Sequence, residues 1–173
     1  MRVGVVGGAG FVGTRLVGRL KTNGTSYAIL DIDQSRDPEN VVYYDVEAKA
    51  GFEEISGFDA IINLAAVHRD DIYPLSRYDD VNVQGAANIC EAARKHCIKS
   101  IVFTSTVAIY GFAPANTDES GEPNYFNDYG RTKYLAEKVY LAWQAEDPDE
   151  RSLVIVRPTV IFGEANRGNV YNL

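Results

Sequence analysis

The sequence contains little cysteine, and its two cysteines form no recognisable framework. Cys90 and Cys97 lie within one predicted helix and at its C-terminal end. A disulfide scaffold requires more cysteines, and a metal site requires closely spaced Cys or His ligands. We therefore predict neither, and we interpret Cys90 as a small buried apolar residue.

The sequence also lacks a cluster of lysine and arginine, and its formal net charge is -7. Binding to a phosphate backbone requires clustered cations, so we exclude a nucleic-acid partner. The longest apolar runs, "SLVIVRP" and "SIVFTST", are only strand-length. The N-terminus "MRVGVVGGAG" shows no cationic leader or cleavage site. We expect a cytoplasmic protein without membrane association, in which local donors hold any anionic ligand.

What is present is an ordinary globular composition, with 46% hydrophobic and 24% charged residues in 173, which indicates one domain, 1–173. Short β-rich runs alternate with longer helical runs. The predicted strands are Arg2–Val6, Tyr27–Asp31, Val41–Tyr44, Ala60–Leu64, Ser100–Ser105 and Leu153–Arg157, and the predicted helices are Phe11–Thr22, Leu75–His96 and Tyr129–Glu146. Apolar strands separated by helices predict a doubly wound α/β domain with a parallel sheet. The loop-like segment 111–124 is long enough to suggest a functional role.

Four glycines follow the first predicted strand in "VGVVGGAGFVG". Gly8, Gly10 and Gly13 fit the pattern G-x-G-x-x-G. Gly7, Gly10 and Gly13 fit G-x-x-G-x-x-G, so the loop alone does not decide between the two. In both patterns the missing Cβ atoms allow close backbone approach, and the N-H groups at the helix start hold a pyrophosphate. The alternative is a glycine-rich turn without a ligand, which the strand before the loop and the helix after it disfavour.

Asp31 ends the second predicted strand, in "YAILDID". This is the expected position for a carboxylate that accepts hydrogen bonds from the adenosine ribose hydroxyls. Its charge would repel a 2′-phosphate, so the sequence favours NAD over NADP. An aspartate here can instead cap a turn; we assign that role to Asp33 and ribose binding to Asp31.

Tyr129 and Lys133, in "YGRTK", stand one turn apart on the same face of a predicted helix. An ammonium beside a phenol favours the phenolate and lowers its pKa, which makes the phenol a usable acid or base. A surface cation beside an aromatic ring is the alternative for such a pair. A run of hydroxyls where the fifth predicted strand ends, at the edge where open α/β sheets bind ligands, favours the catalytic interpretation. These hydroxyls belong to Thr104, Ser105 and Thr106.

Several motifs together resemble the extended short-chain dehydrogenase/reductase family. They are "GGAGFVG", Asp31, "NLAA" at 63–66, "VNVQGAAN" at 81–88, "TSTVAIYG" at 104–111, "YGRTK" and "RPTVIFG" at 157–163. Within that family the chain resembles the NAD-dependent nucleotide-sugar epimerase/dehydratase group typified by UDP-glucose 4-epimerase. The resemblance covers nearly the whole chain and implies a Rossmann fold with NAD as cofactor.

The resemblance also implies individual roles. Thr106, Tyr129 and Lys133 match the catalytic triad, in which Lys133 binds the nicotinamide ribose and lowers the tyrosine pKa. Asn82 matches an asparagine that supports the active site through structure. The implied cofactor-binding residues are Gly7, Gly10, Phe11, Val12, Gly13, Asp31, Asp45, Val46, Leu64, Ala65, Ala66, Asn82, Tyr129 and Lys133. Asp45 and Val46 match the pair that flanks adenine, and no metal is implied.

The implied reaction is the oxidation of a sugar hydroxyl, commonly at C4, by hydride transfer to NAD. Return of the hydride to the other face would epimerise a nucleotide sugar, with a UDP-sugar favoured. A nucleotide-sugar dehydrogenase or 4-keto reductase is the alternative enzyme, and a non-catalytic NAD-binding sensor is an alternative of another class. The intact triad disfavours the sensor.

The chain departs from its relatives at several positions. Val107 and Ala108 stand where the family's 4,6-dehydratases carry an acidic pair, so the dehydratase reaction loses its proton-transfer groups. His68 lies where some epimerases direct a lysine towards the cofactor phosphates, and it could serve that end or bond within its loop. Val160 replaces an asparagine that some relatives use near the substrate.

Length is the largest departure from the relatives. They add a mainly helical region that covers the sugar nucleotide, and we expect this C-terminal substrate region to be largely absent. The 173-residue chain should therefore bind NAD but turn over a sugar nucleotide poorly. The family also implies a possible homodimer through the predicted helices Leu75–His96 and Tyr129–Glu146, although apolar positions such as Leu135 and Leu141 could belong to the core.

Overall fold

The computed structural model describes residues 1–35, 40–48, 53–69, 71–164 and 166. Its centre is a six-stranded sheet with the order β3-β2-β1-β4-β5-β6, and every neighbouring pair is parallel. The strands are β1 (Arg2–Val6), β2 (Ser26–Asp31), β3 (Val41–Tyr43), β4 (Ala60–Asn63), β5 (Ser100–Thr104) and β6 (Ser152–Val156). The predicted doubly wound fold is confirmed, and each predicted strand lies within one residue of the observed bounds.

The helices lie between the strands, as the parallel connections require. They are α1 (Phe11–Thr22), α2 (Ser76–Tyr78), a π-helical turn (Asp79–Gln84), α3 (Gly85–Lys95) and α4 (Asp128–Ala145), with short 3-10 turns at Glu53–Ile55 and Val107–Tyr110. The predicted helix Leu75–His96 is therefore one helical run interrupted by a wider π turn. Such turns frequently occur at functional sites.

Helix α4 begins where a side chain can cap it. The Asn127 side-chain oxygen accepts a hydrogen bond of 2.8 Å from the Gly130 backbone N-H, which satisfies one of the N-H groups that have no partner inside the helix. Pro148 follows soon after the helix ends, and proline cannot continue a helix. The cap fixes the first turn of α4, which carries Tyr129.

The main core lies between the sheet and helices α3 and α4. Phe103 of β5 packs on Tyr140 of α4 with ring centroids 4.6 Å apart, and Trp143 is fully buried. Burial of such large side chains contributes roughly 2–3 kcal/mol each. Cys90 of α3 is buried here as predicted, and burial raises the pKa of its thiol to about 12. Nowhere in the described ranges does a helix have the length and apolarity needed to cross a bilayer.

The sheet order places the carboxyl ends of β1, β4 and β5 at one edge. The order reverses direction between β1 and β4, and open α/β sheets bind ligands in the crevice at such a reversal. β1 runs into the glycine loop, β4 into the segment 63–66, and β5 into Ser105 and Thr106. The fold thus brings the sequence motifs to a single edge.

Candidate active site

The glycine loop between β1 and α1 is shaped by two close backbone contacts. A Cβ on Gly7, whose φ is +76°, would lie 2.6 Å from the backbone nitrogen of Ala65. A Cβ on Gly13 would lie 2.5 Å from the Gly8 backbone. A Cβ on Gly10 would meet nothing closer than the Gly7 carbonyl oxygen at 3.3 Å. Gly7 and Gly13 are therefore required by packing, whereas Gly10 keeps the space in front of α1 open.

The N-terminus of α1 faces that open space. Gly10 is the N-cap residue, and none of the described side chains caps the first turn, to which Phe11 and Val12 belong. A cleft of about 290 Å³ opens at this end of the helix. Its lining residues are Ala9, Gly10, Phe11, Thr14, Arg15, Asp31 and Asp33. Uncapped N-H groups and the helix dipole make such a site suitable for an anion.

Asp31 forms the acidic side of the cleft and is tied to the glycine loop. One carboxylate oxygen accepts a 2.9 Å hydrogen bond from the Ala9 backbone N-H, and the other accepts 3.0 Å from the Asp33 N-H. Asp33 accepts in turn from the N-H and hydroxyl of Ser35, at 2.9 and 2.5 Å. Asp33 thus caps a turn as predicted. Asp31 also caps a turn, through its bond from the Asp33 N-H, and it borders the cleft as well; its contact with the ribose stays a prediction.

The segment after β3, which carries Asp45 and Val46, is partly buried. Val46 is 7% exposed and packs in the core, where a Cβ on Gly85 would lie 3.0 Å from its side chain. The Val46 carbonyl accepts a hydrogen bond of 2.7 Å from the Asn88 side-chain amide. Asp45 accepts 3.0 Å from the Glu47 N-H. Adenine contact by this pair stays a prediction, and the Val46 side chain contributes to packing.

The segment after β4 runs beside the glycine loop. The Leu64 N-H donates a hydrogen bond of 2.8 Å to the Val6 carbonyl, and the Ala65 N-H donates one of 3.0 Å to the Asn63 side-chain oxygen. Leu64, Ala65 and Ala66 are all half-buried. The Ala65 backbone also abuts Gly7, since a Cβ on Gly7 would lie 2.6 Å from the Ala65 nitrogen. The expected packing of Ala65 and Ala66 under a cofactor stays a prediction.

The hydroxyls of Tyr129 and Thr106 are brought together by α4 and the turn after β5. The Thr106 side chain caps that turn by accepting 3.1 Å from the Ala108 N-H. Burial raises the pKa of Tyr129, and a hydrogen bond with the Thr106 side chain lowers it, although burial has the larger effect. The two groups can therefore exchange a proton with a substrate hydroxyl placed between them.

Lys133 is buried one turn beyond Tyr129, with 2% of its surface exposed. Its ammonium nitrogen lies 4.2 Å from the centre of the Phe103 ring. Burial lowers the pKa of Lys133 to about 7, and the charge of Glu137 opposes that fall. A surface cation, the alternative considered for the sequence, is excluded because the side chain is enclosed.

One expectation about this pair is wrong for the structure as it stands. The sequence predicted that Lys133 lowers the pKa of Tyr129, but that pKa is raised, and the charge of Lys133 is not among the causes that shift it. Burial penalises the charged form of both groups, so it opposes the phenolate as well as the ammonium. The direction of the shift follows from packing, which the sequence did not show.

Asn82 supports the site through structure, as expected. Its side-chain oxygen accepts 2.9 Å from the Val67 N-H, and its amide donates 3.0 Å each to the Val67 carbonyl and the Thr132 hydroxyl. Thr132 donates to the Asp128 carbonyl at 2.7 Å. Because these bonds use both amide protons, Asn82 positions the segment after β4 against α4, and direct cofactor contact stays a prediction without support here.

Two features of the site were missed from the sequence. Asn63 donates 2.8 Å to the Tyr140 hydroxyl in the core beneath the segment 63–66. Arg157 binds both carboxylate oxygens of Glu137, at 2.9 and 2.7 Å. Arg157 is the first residue of the motif "RPTVIFG", and Glu137 lies four residues after Lys133 on α4. A carboxylate on the same helix face as a residue predicted to be catalytic was the signal that could have identified the pair.

The residues that depart from the family pattern lie in the loop after β4, in the turn after β5 and after β6. His68 is exposed and lies 3.4 Å from the Ala66 carbonyl, which matches the loop bond considered for it. Val107 and Ala108 belong to the 3-10 turn capped by Thr106, and Val160 is 55% exposed. The loss of the dehydratase reaction, inferred from Val107 and Ala108, stays a prediction.

Comparison with known proteins extends over nearly the whole chain. The model of the NAD dependent epimerase/dehydratase family matches residues 3–172. An N-acetyl-alpha-D-glucosaminyl-diphospho-ditrans,octacis-undecaprenol 4-epimerase of Escherichia coli O157:H7 is 47% identical over 98% of this chain and 51% of its own length. UDP-glucose 4-epimerase 3 of Oryza sativa subsp. japonica is 30% identical over 87% of this chain and 47% of its own. The chain thus spans about half the length of these relatives.

Solved structures of related enzymes also match nearly the whole chain. MoeE5 in complex with UDP-glucuronic acid and NAD superposes with a TM-score of 0.89 at 25% identity, covering 99% of this chain and 58% of MoeE5. A UDP-glucose 4-epimerase of Thermus thermophilus in complex with NAD gives 0.80 at 26% identity, covering 95% of this chain and 59% of its own. Both likenesses therefore extend over nearly all of this chain and over little more than half of the solved protein.

Proposed function

Since the chain belongs to the NAD-dependent epimerase/dehydratase family, we propose that it holds the cofactor site and the reacting groups of a sugar 4-epimerase. The observation that carries the proposal is the meeting of the Tyr129 and Thr106 hydroxyls one turn from buried Lys133. Two relatives named as 4-epimerases, at 47% and 30% identity, support it. Because the chain covers about half of each, the activity of the whole protein is also part of the proposal.

The residues present fit NAD. Gly10 leaves open space before the uncapped start of α1, and Asp31 borders the same cleft. The buried Ser105 hydroxyl finds no hydrogen-bond partner within the described part of the chain, so a ligand group could satisfy it. In this assignment the pyrophosphate is held by Gly7, Gly10, Phe11 and Val12, the adenosine ribose by Asp31, and the nicotinamide ribose by Tyr129 and Lys133.

The chemistry of the chain's own residues follows from this placement. NAD, when bound, supplies the acceptor for the hydride from the sugar carbon and the donor for its return. Tyr129 takes the proton of the C4 hydroxyl as that carbon is oxidised, and the Thr106 hydroxyl donates to the developing alkoxide. Tyr129 gives the proton back once the keto sugar has turned over, which inverts C4 with no net oxidation.

A UDP-sugar is the first candidate substrate. MoeE5 and the Thermus thermophilus epimerase, each at least 25% identical, are named with UDP-sugars. A sugar joined through diphosphate to a polyprenyl lipid is the second candidate, because the relative with 47% identity is named for one. An exposed aromatic pair supports this candidate as a surface for the lipid. Phe112 and Phe126, in the chain between the Thr106 turn and α4, are 85% and 61% exposed, with ring centroids 4.9 Å apart.

Two other functions remain as alternatives to test. A dehydrogenase or 4-keto reductase would produce or consume NADH in proportion to the sugar converted, whereas an epimerase would not. A non-catalytic NAD sensor would keep all its functions when Tyr129 is replaced by phenylalanine. Buried Lys133 favours an enzyme, since burial of an unused amine costs stability.

The test begins with calorimetric titration of the chain with NAD and with NADP. We expect NAD to bind and NADP to be rejected, and Asp31→Asn to weaken the discrimination. Epimerisation is then assayed with a longer chain that includes the C-terminal region, on UDP-N-acetylglucosamine and on its polyprenyl-diphosphate counterpart, with NADH absorbance followed in parallel. Failure of both cofactors to bind a folded chain would contradict the proposal. A stoichiometric NADH signal would favour the dehydrogenase.

A further inference from the structure

Arg157, at the end of β6, joins three separate parts of the molecule. Besides its two bonds to Glu137 of α4, its guanidinium donates 2.5 Å to the Tyr110 hydroxyl and 3.1 Å to the Glu119 carbonyl. Tyr110 ends the turn that Thr106 caps, and Glu119 lies in the loop 111–124. One cation therefore connects the catalytic helix, the Thr106 turn and the following loop.

Glu137 is unusual for a carboxylate because only 1% of it is exposed. A buried charge is tolerated only when it is paired and hydrogen-bonded, and the two-pronged bond from Arg157 meets that need. Glu137 also follows Lys133 by four residues on α4, so the two side chains leave the same face of the helix. The carboxylate is thus fixed on the side of the helix that carries the buried ammonium.

No other described group supplies the same charge to Lys133. β5 presents the uncharged Phe103 ring, and Tyr129 is a phenol. Asp79, from the π turn packed against α4, is held by Arg131 at 2.6 and 2.9 Å. Cys90 of α3 is kept neutral by burial, which raises its pKa. Within the described ranges, Glu137 is the carboxylate whose charge acts on Lys133.

We propose that Arg157 and Glu137 are positioning residues of this site: Glu137 favours the protonated form of Lys133 against the effect of burial, and Arg157 fixes Glu137 while holding the Thr106 turn and the loop 111–124 against α4. The functional consequence rests on the roles proposed above for Tyr129 and Lys133. A pair that merely stabilised the fold would anchor β6 to α4 without altering the protonation of Lys133. The two interpretations therefore differ in the pH at which Lys133 titrates in the folded protein.

The experiment is an NMR titration of the chain carrying 13C at the lysine side chains, with the Lys133 signal assigned through Lys133→Met. Glu137→Gln should move the Lys133 inflection down by about 1 pH unit, since an opposite charge nearby typically raises such a pKa by at least that much. Glu146→Gln is the matched control. Glu146 directly follows α4 and likewise has a two-pronged arginine partner, Arg94. Its replacement should leave the Lys133 inflection unchanged.

A second variant guards against misfolding of Glu137→Gln, in which half-buried Arg157 loses its charged partner. Glu137→Gln with Arg157→Met removes both charges, and buried ion pairs replaced together often cost little. The inflection should again fall, and amide exchange of 111–124 should quicken because the bonds to Tyr110 and Glu119 are also lost. An unchanged Lys133 inflection in either folded variant would overturn the proposal, whether or not NAD binds.

Discussion

Replacement of Lys133 by methionine should stabilise the protein, and the gain should depend on pH. The ammonium is enclosed beside the Phe103 ring, and its pKa falls from the usual 10.5 to about 7. At about 1.4 kcal/mol for each tenfold change in a protonation equilibrium, this fall corresponds to at most ~5 kcal/mol of lost stability. Methionine has a similar length and carries no charge to bury.

The direction of this pH dependence follows from the protons that the folded and unfolded chains bind. Between pH 7 and 10.5 the unfolded chain holds a proton on Lys133 that the folded chain has released, so rising pH favours the folded wild type. The stability advantage of Lys133→Met should therefore be full below pH 7 and shrink as pH approaches 10.5. Urea unfolding of both proteins from about pH 6 to pH 10 measures it. Lys138→Met, an exposed position on the same helix, is the control. An advantage that is constant with pH, or absent at the acidic end, would refute the reasoning.

Three further predictions concern the loop and the catalytic helix. Gly13→Ala should lower the free energy of unfolding by several kcal/mol, because the new Cβ would lie 2.5 Å from the Gly8 backbone. Gly18→Ala in the same helix is the control: its Cβ meets nothing within 4 Å, so the free energy of unfolding should rise by roughly 1 kcal/mol. Thermal unfolding of both variants measures the difference. Tyr129→Phe should leave the calorimetric affinity for NAD nearly unchanged while turnover by a longer chain falls at least about 100-fold. Asn127→Ala should cost about 1 kcal/mol in urea unfolding through the lost cap, and a gain in stability would show that the cap is not formed.

The sequence was a good guide to the strands because each is an apolar run that ends at a turn signal. The bounds of α1, Phe11–Thr22, were predicted as observed. The long helix Leu75–His96 was predicted without its interruption, because a π turn leaves the pattern of apolar residues almost unchanged. Asn82 lies within that turn, and its bonds to Val67 and Thr132 depend on elements far apart in the sequence.

The residues of the candidate site could be found from the sequence, but not their electrostatics. Spacing placed Tyr129 and Lys133 on one helix face, and the end of β5 placed Thr106 beside them. How deeply Lys133 is enclosed depends on Phe103, which lies far earlier in the chain on another element. The pair Arg157 and Glu137 was missed for the same reason, since nothing in a single sequence shows which arginine meets which carboxylate.

The pKa directions of Tyr129 and Lys133 together bear on how the site would become reactive. Burial favours the neutral phenol and the neutral amine, and this pair holds as many protons as the phenolate and the ammonium together. The form with a neutral phenol and a neutral amine therefore differs from the reactive form only in where one proton lies. A negative charge beside Lys133 favours the reactive form and one beside Tyr129 opposes it. Glu137 is on the Lys133 side, one turn further from Tyr129, so its position favours the phenolate.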